Sequence, residues 1–380
     1  MLVGVMSTYK RPPRLIRLTA LISKTYGIDI IFVRPPDVNI EKGTLTGKML
    51  INNKWVTQEK EIPEFIDITP YCFKKKYKTV TDYLKQKTFL SDNRENVLTK
   101  EALQEYLKED PEYSHLVLPT YKVMSFDDIS RYLEKYSKVV LKPSDGIQGK
   151  RIFIVEKSTD KYIVGHNTHE KNMNEEEFYN LYREKVKGQM YLVQKYIVSR
   201  TRQGDPFDCR IHVEKNGNGK WQSAKNYIRI GIGQKVISNV NQGGGIADPI
   251  SFLKANYDDK WKEINEKLKK LAVTLPYKVE ELRGTHIMSL GIDIGIGKDG
   301  ELYLFEVNDG PAFKTLIGEI AYLRSNYYKY VKQKIIGVNN EQHVSSQRNN
   351  GEPSTLFRTS LKPIKKLKRM INSLRSRINK

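Results

Sequence analysis

Residues 291–313 read GIDIGIGKDGELYLFEVNDGPAF. Two apolar runs, each broken by a carboxylate, flank Asp299-Gly300, a dipeptide that favours a two-residue hairpin turn. Asp293 lies six residues before Asp299, and Glu306 six after Gly300, so closing the hairpin sets the two carboxylates opposite each other. Asn308, two residues further on, shares the face of Glu306 by the period of two. Two carboxylates and an amide oxygen converge. Inside apolar strands they would be unfavourable without a counter-charge, and a hard cation such as Mg²⁺ with oxygen ligands supplies one. The plain alternative is an exposed hairpin face carrying ordinary polar residues.

Upstream, residues 139–157 read VVLKPSDGIQGKRIFIVEK. Lys142 ends a strand, a loop with Gly146 and Gly149 follows, and the chain resumes as an alternating strand. Glycines let backbone N–H groups approach phosphate oxygens closely, and lysine adds a point charge. The spacing is not that of a Walker loop, which ends in Lys-Ser/Thr and opens a helix. A phosphate loop and a simple hairpin both fit this segment. Between the two lies FDCRIHVEK, where Asp208, Arg210 and His212 alternate and share a face. Arg210 there could stabilise negative charge moving onto phosphate oxygens, while a solvated strand face accounts for the pattern equally, and His212 reads as structural. Arg229 on the next strand offers a second cation. SNVNQGGG, with Gly243, Gly244 and Gly245, reads as a substrate loop anchored by Asn239 or as a turn. In YLVQKYI, Gln194 and Lys195 stand where a strand runs out into a loop, presenting backbone groups suited to an adenine edge.

Working outward, RLIRLTALISKTYG is an amphipathic helix between the strands LVGVM and IDIIFVRP, a small α/β beginning. GKMLINNKW and FIDIT are short β-like runs, and a boundary falls near residue 90. LTKEALQEYLKED and SFDDISRYLEKY predict helices, the second with Ser125 and Asp128 in capping-box spacing, and a sheet-rich α+β body runs to about 335. Residues 336–355 read as a polar linker. Residues 356–380 read as a basic amphipathic helix, with apolar residues three and four apart. From Pro353 onward nine basic residues and no acidic one account for nine of the net charge of +21, so the rest of the chain still carries +12. No run approaches the roughly eighteen consecutive apolar residues of a bilayer span, and the N-terminus lacks a charged leader followed by an apolar core, so the expected location is the cytosol. Two cysteines, Cys72 and Cys209, are too few for a disulfide framework or a thiolate metal site and read as buried small apolar residues. No Ser-His-Asp or Cys-His arrangement, zinc-finger spacing or RNA-recognition signature is present, which argues against nucleic acid as the main partner.

Taken in order, these segments resemble the ATP-grasp superfamily, and more closely the endospore-coat-associated ATP-grasp proteins of spore-forming bacteria. LKPSDGIQGKRI looks like the phosphate-loop signature, VQKYI the adenine hinge, FDCR the Asp-x-Arg strand, SNVNQGGG the late glycine loop and GIDIGIGKDGELYLFEVNDGP the metal-binding hairpin. The resemblance implies an α+β ATP-grasp fold of two lobes over residues 91–335, preceded by a small α/β pre-ATP-grasp domain over 1–90. It implies ATP with two Mg²⁺ ions, the metals on Asp293, Glu306 and Asn308. The nucleotide would be held by Lys142, Ser144, Gly146, Gln148 and Gly149, by Gln194, Lys195, Tyr196 and Ile197, and by Lys100. Arg210 would face an acyl phosphate, with Arg229 and Asn239 beside it. The implied reaction joins a carboxylate to an amine through that acyl phosphate; the amine acceptor and the acid would be small molecules, peptides or an acidic protein. Phosphoryl transfer and a purely structural part in the spore coat are the alternatives. Asp309 departs from the family pattern, where a small residue or Ser commonly follows the Asn. The tail helix would meet an anionic membrane or an acidic protein.

Overall fold

The structure, a computed structural model, describes residues 1–144, 151–232, 244–311 and 317–346, with side chains as far as residue 334. Its first layer starts with β1 (Leu2–Met6), α1 (Arg14–Lys24) and β2 (Asp29–Val33), as the sequence predicts. β3 (Val38–Asn39), β4 (Thr44–Ile51), β5 (Lys54–Glu61), β6 (Phe65–Ile68), α2 (Lys78–Lys87) and β7 (Phe89–Leu90) complete it. The strand order is β3-β4-β2-β1-β6-β7, with β5 against β4. β2, β1, β6 and β7 run parallel. Their near-continuous apolar sequences follow from cover on both faces: Val3, Val5 and Phe32 enter one core with Leu15 of α1, Ile31, Val33 and Ile68 another with Leu84 of α2. GKMLINNKW resolves into two strands because Asn52 and Asn53 take φ of 47° and 62°, the left-handed pair of a tight hairpin turn that asparagine tolerates.

α3 (Lys100–Lys108) packs Leu103 and Leu107 into the core of the third layer, and the second layer comprises β8 (Thr120–Lys122), α4 (Phe126–Tyr136), β9 (Lys138–Pro143), β10 (Phe153–Lys157), β11 (Tyr162–His166), β12 (His169–Met173), α5 (Glu175–Lys185) and β13 (Tyr191–Lys195). Its sheet runs β12-β11-β10-β9-β13-β8. α4 opens where the sequence places its cap: the Asp128 carboxylate accepts the N–H of Ser125 at 2.8 Å. β9 and β10 are antiparallel neighbours, so strand, loop, strand holds; the loop itself, with Gly146, Gln148 and Gly149, lies outside the described residues.

The third layer holds β14 (Phe207–Lys215), β15 (Trp221–Ile230), β16 (Gly245–Ala247), α6 (Pro249–Tyr257), α7 (Trp261–Arg283), β17 (Ser289–Ile296), β18 (Leu302–Asp309) and α8 (Ile317–Ser346), in the sheet order β16-β15-β14-β17-β18. One face packs on α6 and α7, with Cys209, Ile211, Ile292 and Ile294 against Leu268 and Leu275. Against the other face lies α8, which also packs on α1. The hairpin pairs Asp293 with Glu306 as predicted, but by a different route. Ile296 pairs with Leu302, and Gly297 N–H donates to Glu301 O at 2.9 Å, so the turn is longer than two residues. A bulge at Phe305 then restores the register before Glu306. The linker reading of 336–355 needs correction at its start: α8 runs on to Ser346, since extending a helix is easier than nucleating one and no proline intervenes before Pro353. The tail, 356–380, lies outside the described residues. Among the described residues no helix is long and apolar enough to cross a membrane.

A buried polar network joins the layers. Arg324 of α8 reaches Asp67 of β6 at 3.3 Å and Glu214 of β14 at 3.0 Å. The Tyr328 hydroxyl donates to Asp67 at 2.6 Å, and Ser289 Oγ and His212 Nε2 donate to Glu214 at 2.8 and 2.9 Å. Burial works to raise the Glu214 carboxyl, but Arg324 and His212 overcome it and hold it below its ordinary value of 4.5. Its stabilising contribution is therefore complete above the unfolded pKa and drains away as pH falls through the depressed folded value. Arg324→Leu, which strands two buried carboxylates, should cost about 3–5 kcal/mol of unfolding free energy at pH 7. The gap to the unaltered protein should close on acidification below pH ~4, as read by urea denaturation.

Candidate functional site

β14 alternates cleanly: Phe207, Cys209, Ile211 and Val213 enter the core, leaving Asp208, Arg210, His212 and Glu214 on the opposite face. That face is not solvated. His212 is 0% and Asp208 5% exposed, and Asp293 on the neighbouring strand 6%, which also sets aside the exposed-hairpin alternative. The register places Asp208 opposite Arg229, Arg210 opposite Asp293, and Asp293 opposite Glu306. Arg210 Nη2 donates to Asp293 Oδ2 at 3.0 Å, with its Nε against the other oxygen. Arg229 Nε donates to Asp208 at 2.7 Å, and its Nη2 reaches Asp293 at 3.1 Å. Burial opposes the charge of Arg229, yet Asp208 and Asp293 hold its pKa well above the ordinary value. Asn308 Nδ2 donates to Asp293 Oδ2 at 3.3 Å. Burial pushes the Cys209 thiol up, and both cysteines are buried and free, as read.

A cleft opens between the second and third layers, with about 440 Å³ of space free of protein atoms, solvent at its mouth included. α3 supplies Lys100 and Gln104, β8 Thr120, β9 Lys142, β13 Leu192 and Gln194, and β18 the run Leu304 to Val307. Lys100 Nζ lies 3.1 Å from Glu306. Lys142 Nζ donates to Gln194 Oε1 at 2.9 Å, and Gln194 Nε2 to Thr120 Oγ1 at 2.6 Å. Protein crowded around the Lys142 ammonium, and the charge of Lys100, bring its pKa down to about 8 against the pull of Glu306. Gln104 anchors its Nε2 on Leu304 O at 3.2 Å, leaving Oε1 buried without a partner among the described residues. Four cations, Lys100, Lys142, Arg210 and Arg229, thus meet four carboxylates, Glu101, Asp208, Asp293 and Glu306.

The structure therefore brings together Lys100, Lys142, Gln194, Arg210, Arg229, Asp293, Glu306 and Asn308. It turns Lys195 away: alternation along β13 sends its ammonium over the Tyr136 ring, 5.7 Å from the centroid. The N–H groups of Lys195 and Tyr196 are already donated to Pro119 and Lys138. The Tyr196 hydroxyl accepts from Arg200 at 2.8 Å, and Ile197 O is taken by the Ser199 N–H at 2.9 Å. None of the three lines the cleft. Ser144 follows β9 with its N–H donated to Met190 O at 2.9 Å. Asn239 and Gly243 lie outside the described residues. Sequence reasoning missed Gln104, which stands one helical turn beyond Lys100 on the same face, and Thr120. Asp309 is ion-paired with Arg94 and with Arg283, and Arg283 also binds Asp92 at 2.7 Å.

The three-sheet α+β architecture with its cleft between two lobes is that of the ATP-grasp fold. Residues 90–335 match the family described as YheC/D like ATP-grasp, and the chain belongs to it. It is 24% identical over 311 residues to the endospore coat-associated protein YheC of Bacillus subtilis (strain 168), spanning 76% of this chain and 82% of that protein. To the endospore coat-associated protein YheD of the same strain it is 23% identical over 289 residues, 72% of this chain and 62% of YheD. Among solved structures, the D-cycloserine synthetase DcsG superposes with a TM-score of 0.50 at 13% identity, over 87% of this chain and 100% of that one. The ATP-grasp ligase PsnB, complexed with precursor peptide PsnA2 and AMPPNP, gives 0.51 at 10% identity, over 87% and 98%. At such identities the likeness is one of fold.

Gly291 leaves no room for a side chain within the site. It pairs with Asn308 on one side and His212 on the other, and a Cβ there would stand 2.7 Å from Pro311 Cβ and 2.8 Å from Arg210 Nη1. Gly291→Ala should displace the Arg210 guanidinium from Asp293 and cost about 1–3 kcal/mol by overpacking. Chemical denaturation, together with a crystal structure of the variant, checks both.

Proposed function

We propose that the protein is an ATP- and Mg²⁺-dependent ligase that joins a carboxylate to an amine. The carrying observation is the hairpin face on which Asp293 and Glu306 stand opposite each other with Asn308 beside them, edged by four side-chain cations. The terminal phosphoryl group of ATP would pass to a carboxylate oxygen, giving ADP and an acyl phosphate, and the amine would then displace phosphate to form an amide. No protein nucleophile is needed. The chain's own part is to position the reactants and neutralise charge: Lys142 and Lys100 on phosphate oxygens, Arg210 and Arg229 at the acyl phosphate. Gln194 lies within the cleft to orient the nucleotide, and the unpartnered Gln104 oxygen offers it an acceptor.

The donor set suits Mg²⁺. Asp293, Glu306 and Asn308 would hold the ions through hard oxygens, with water and phosphate completing the shell. Bound there, the metal supplies charge neutralisation at the triphosphate. The ligases of similar fold and the precursor peptide held by PsnB support an acid or amine within a peptide. The relatives' coat association supports a role in the spore coat. Phosphoryl transfer to an acceptor is the second reading, since the same cation set would serve it.

Glu306→Gln and Asn308→Ala should each abolish formation of ADP and phosphate while leaving the circular dichroism spectrum and melting temperature near those of the unaltered protein; normal rates in both would sink the assignment. With an ¹⁸O-labelled acid, one label should appear in the released phosphate. Label retained in a phosphorylated acceptor would favour phosphoryl transfer instead. Lys142, charged below pH about 8 in the free protein, should make ADP affinity fall as pH rises through that value. Lys142→Met should weaken binding at pH 7 and flatten the profile, as isothermal titration calorimetry would record.

A further inference from the structure

β1 and β6 end side by side, the Thr69 N–H donating to Met6 O at 3.0 Å. The loops that leave them, residues 7–14 and 69–78, hold seven lysines and arginines and no carboxylate. Lys10, Arg11, Lys74, Lys75 and Lys76 are exposed, and none has an ion-pair partner among the described residues. The lysines of α7 behave differently, with Lys267 and Lys269 on Glu263 and Glu266. Two of the five are pre-positioned by aromatic rings: Lys74 lies 5.4 Å from the centroid of Tyr71, and Lys76 4.8 Å from that of Tyr77.

This basic edge adjoins the site. A Cβ on Gly310 would come within 2.8 Å of Pro70, so the loop after β6 touches the chain two residues past Asn308. At the same junction Arg94 pairs with Asp309. The carboxyl ends of parallel strands are where open α/β sheets receive ligands. Five unpaired cations on two loops exceed what one carboxylate can neutralise.

We propose that this edge docks an acidic stretch of polypeptide and leads its reacting carboxylate toward Asn308. The proposal rests on the ligase reading, because a polypeptide carries carboxylates to be activated and a nucleic acid carries none. Binding of a fluorescein-labelled peptide of about ten glutamates, bearing one benzoylphenylalanine, would be followed by anisotropy on the full chain in about 0.15 M salt. Replacing Lys74, Lys75 and Lys76 together by Gln should weaken it about tenfold and leave ADP affinity unchanged. Photo-crosslinks should map to residues 7–14 or 69–78. Unaltered affinity in the triple variant, crosslinks confined to residues 353–380, or preferential binding of an equally charged oligonucleotide at the same edge would each overturn the proposal. Because docking is read without turnover, peptide that binds at the edge yet yields no ADP and phosphate would count against the ligase reading alone.

Discussion

One guanidinium holds this molecule together. Arg324 is shared by Asp67, at the end of a parallel strand in the first sheet, and Glu214, on the strand that also carries Asp208 and Arg210. Two buried carboxylates need a counter-charge in that interior, and neither lies near the other in sequence. The arrangement makes α8 the keystone between the first sheet and the third. It also explains why His212 is structural: its Nε2 completes the shell of Glu214, two residues from Arg210.

The same logic runs through the cleft. Asp293 is the point where charges meet, touched by Arg210, Arg229 and Asn308 and facing Glu306 across the hairpin. Its hydrogen-bond and ion-pair partners offset the cost of burying a carboxylate there. Lys142 shows the converse. Buried, without a hydrogen-bonded carboxylate and with Lys100 nearby, it is easier to deprotonate than a free lysine.

Much of this was legible in the chain because it rests on local periodicity. Alternation along FDCRIHVEK assigns the correct faces, and the pairing of Asp293 with Glu306 follows from counting away from Asp299-Gly300. That count succeeded through two errors that cancel: the turn is longer than expected, and the bulge at Phe305 takes up the difference. α7 escaped notice although Ile264, Leu268, Leu271, Leu275 and Val279 recur at helical spacing, since Pro276 and many lysines disguise the stripe. β12 gave no signal because an edge strand with exposed polar residues has no buried face to alternate with. The salt bridges Lys100–Glu306 and Arg283–Asp309 join segments that nothing local connects. Alternation along β13 puts Gln194 in the cleft and turns Lys195 from it.

The bulge has a mechanical meaning. Phe305 is the surplus residue, and its ring fills the hollow that Gly295 leaves, where a Cβ would be 2.1 Å from the ring. Slack in the strand is thereby gathered at one fixed place, between the base of the hairpin, with Asp293, Glu306 and Asn308, and its outer tip. The tip around Lys298 can lengthen, shorten or change chemistry over evolutionary time while Glu306 and Asn308 stay in step with Asp293. In effect the hairpin carries a clutch, and its working end is insulated from drift at its loose one.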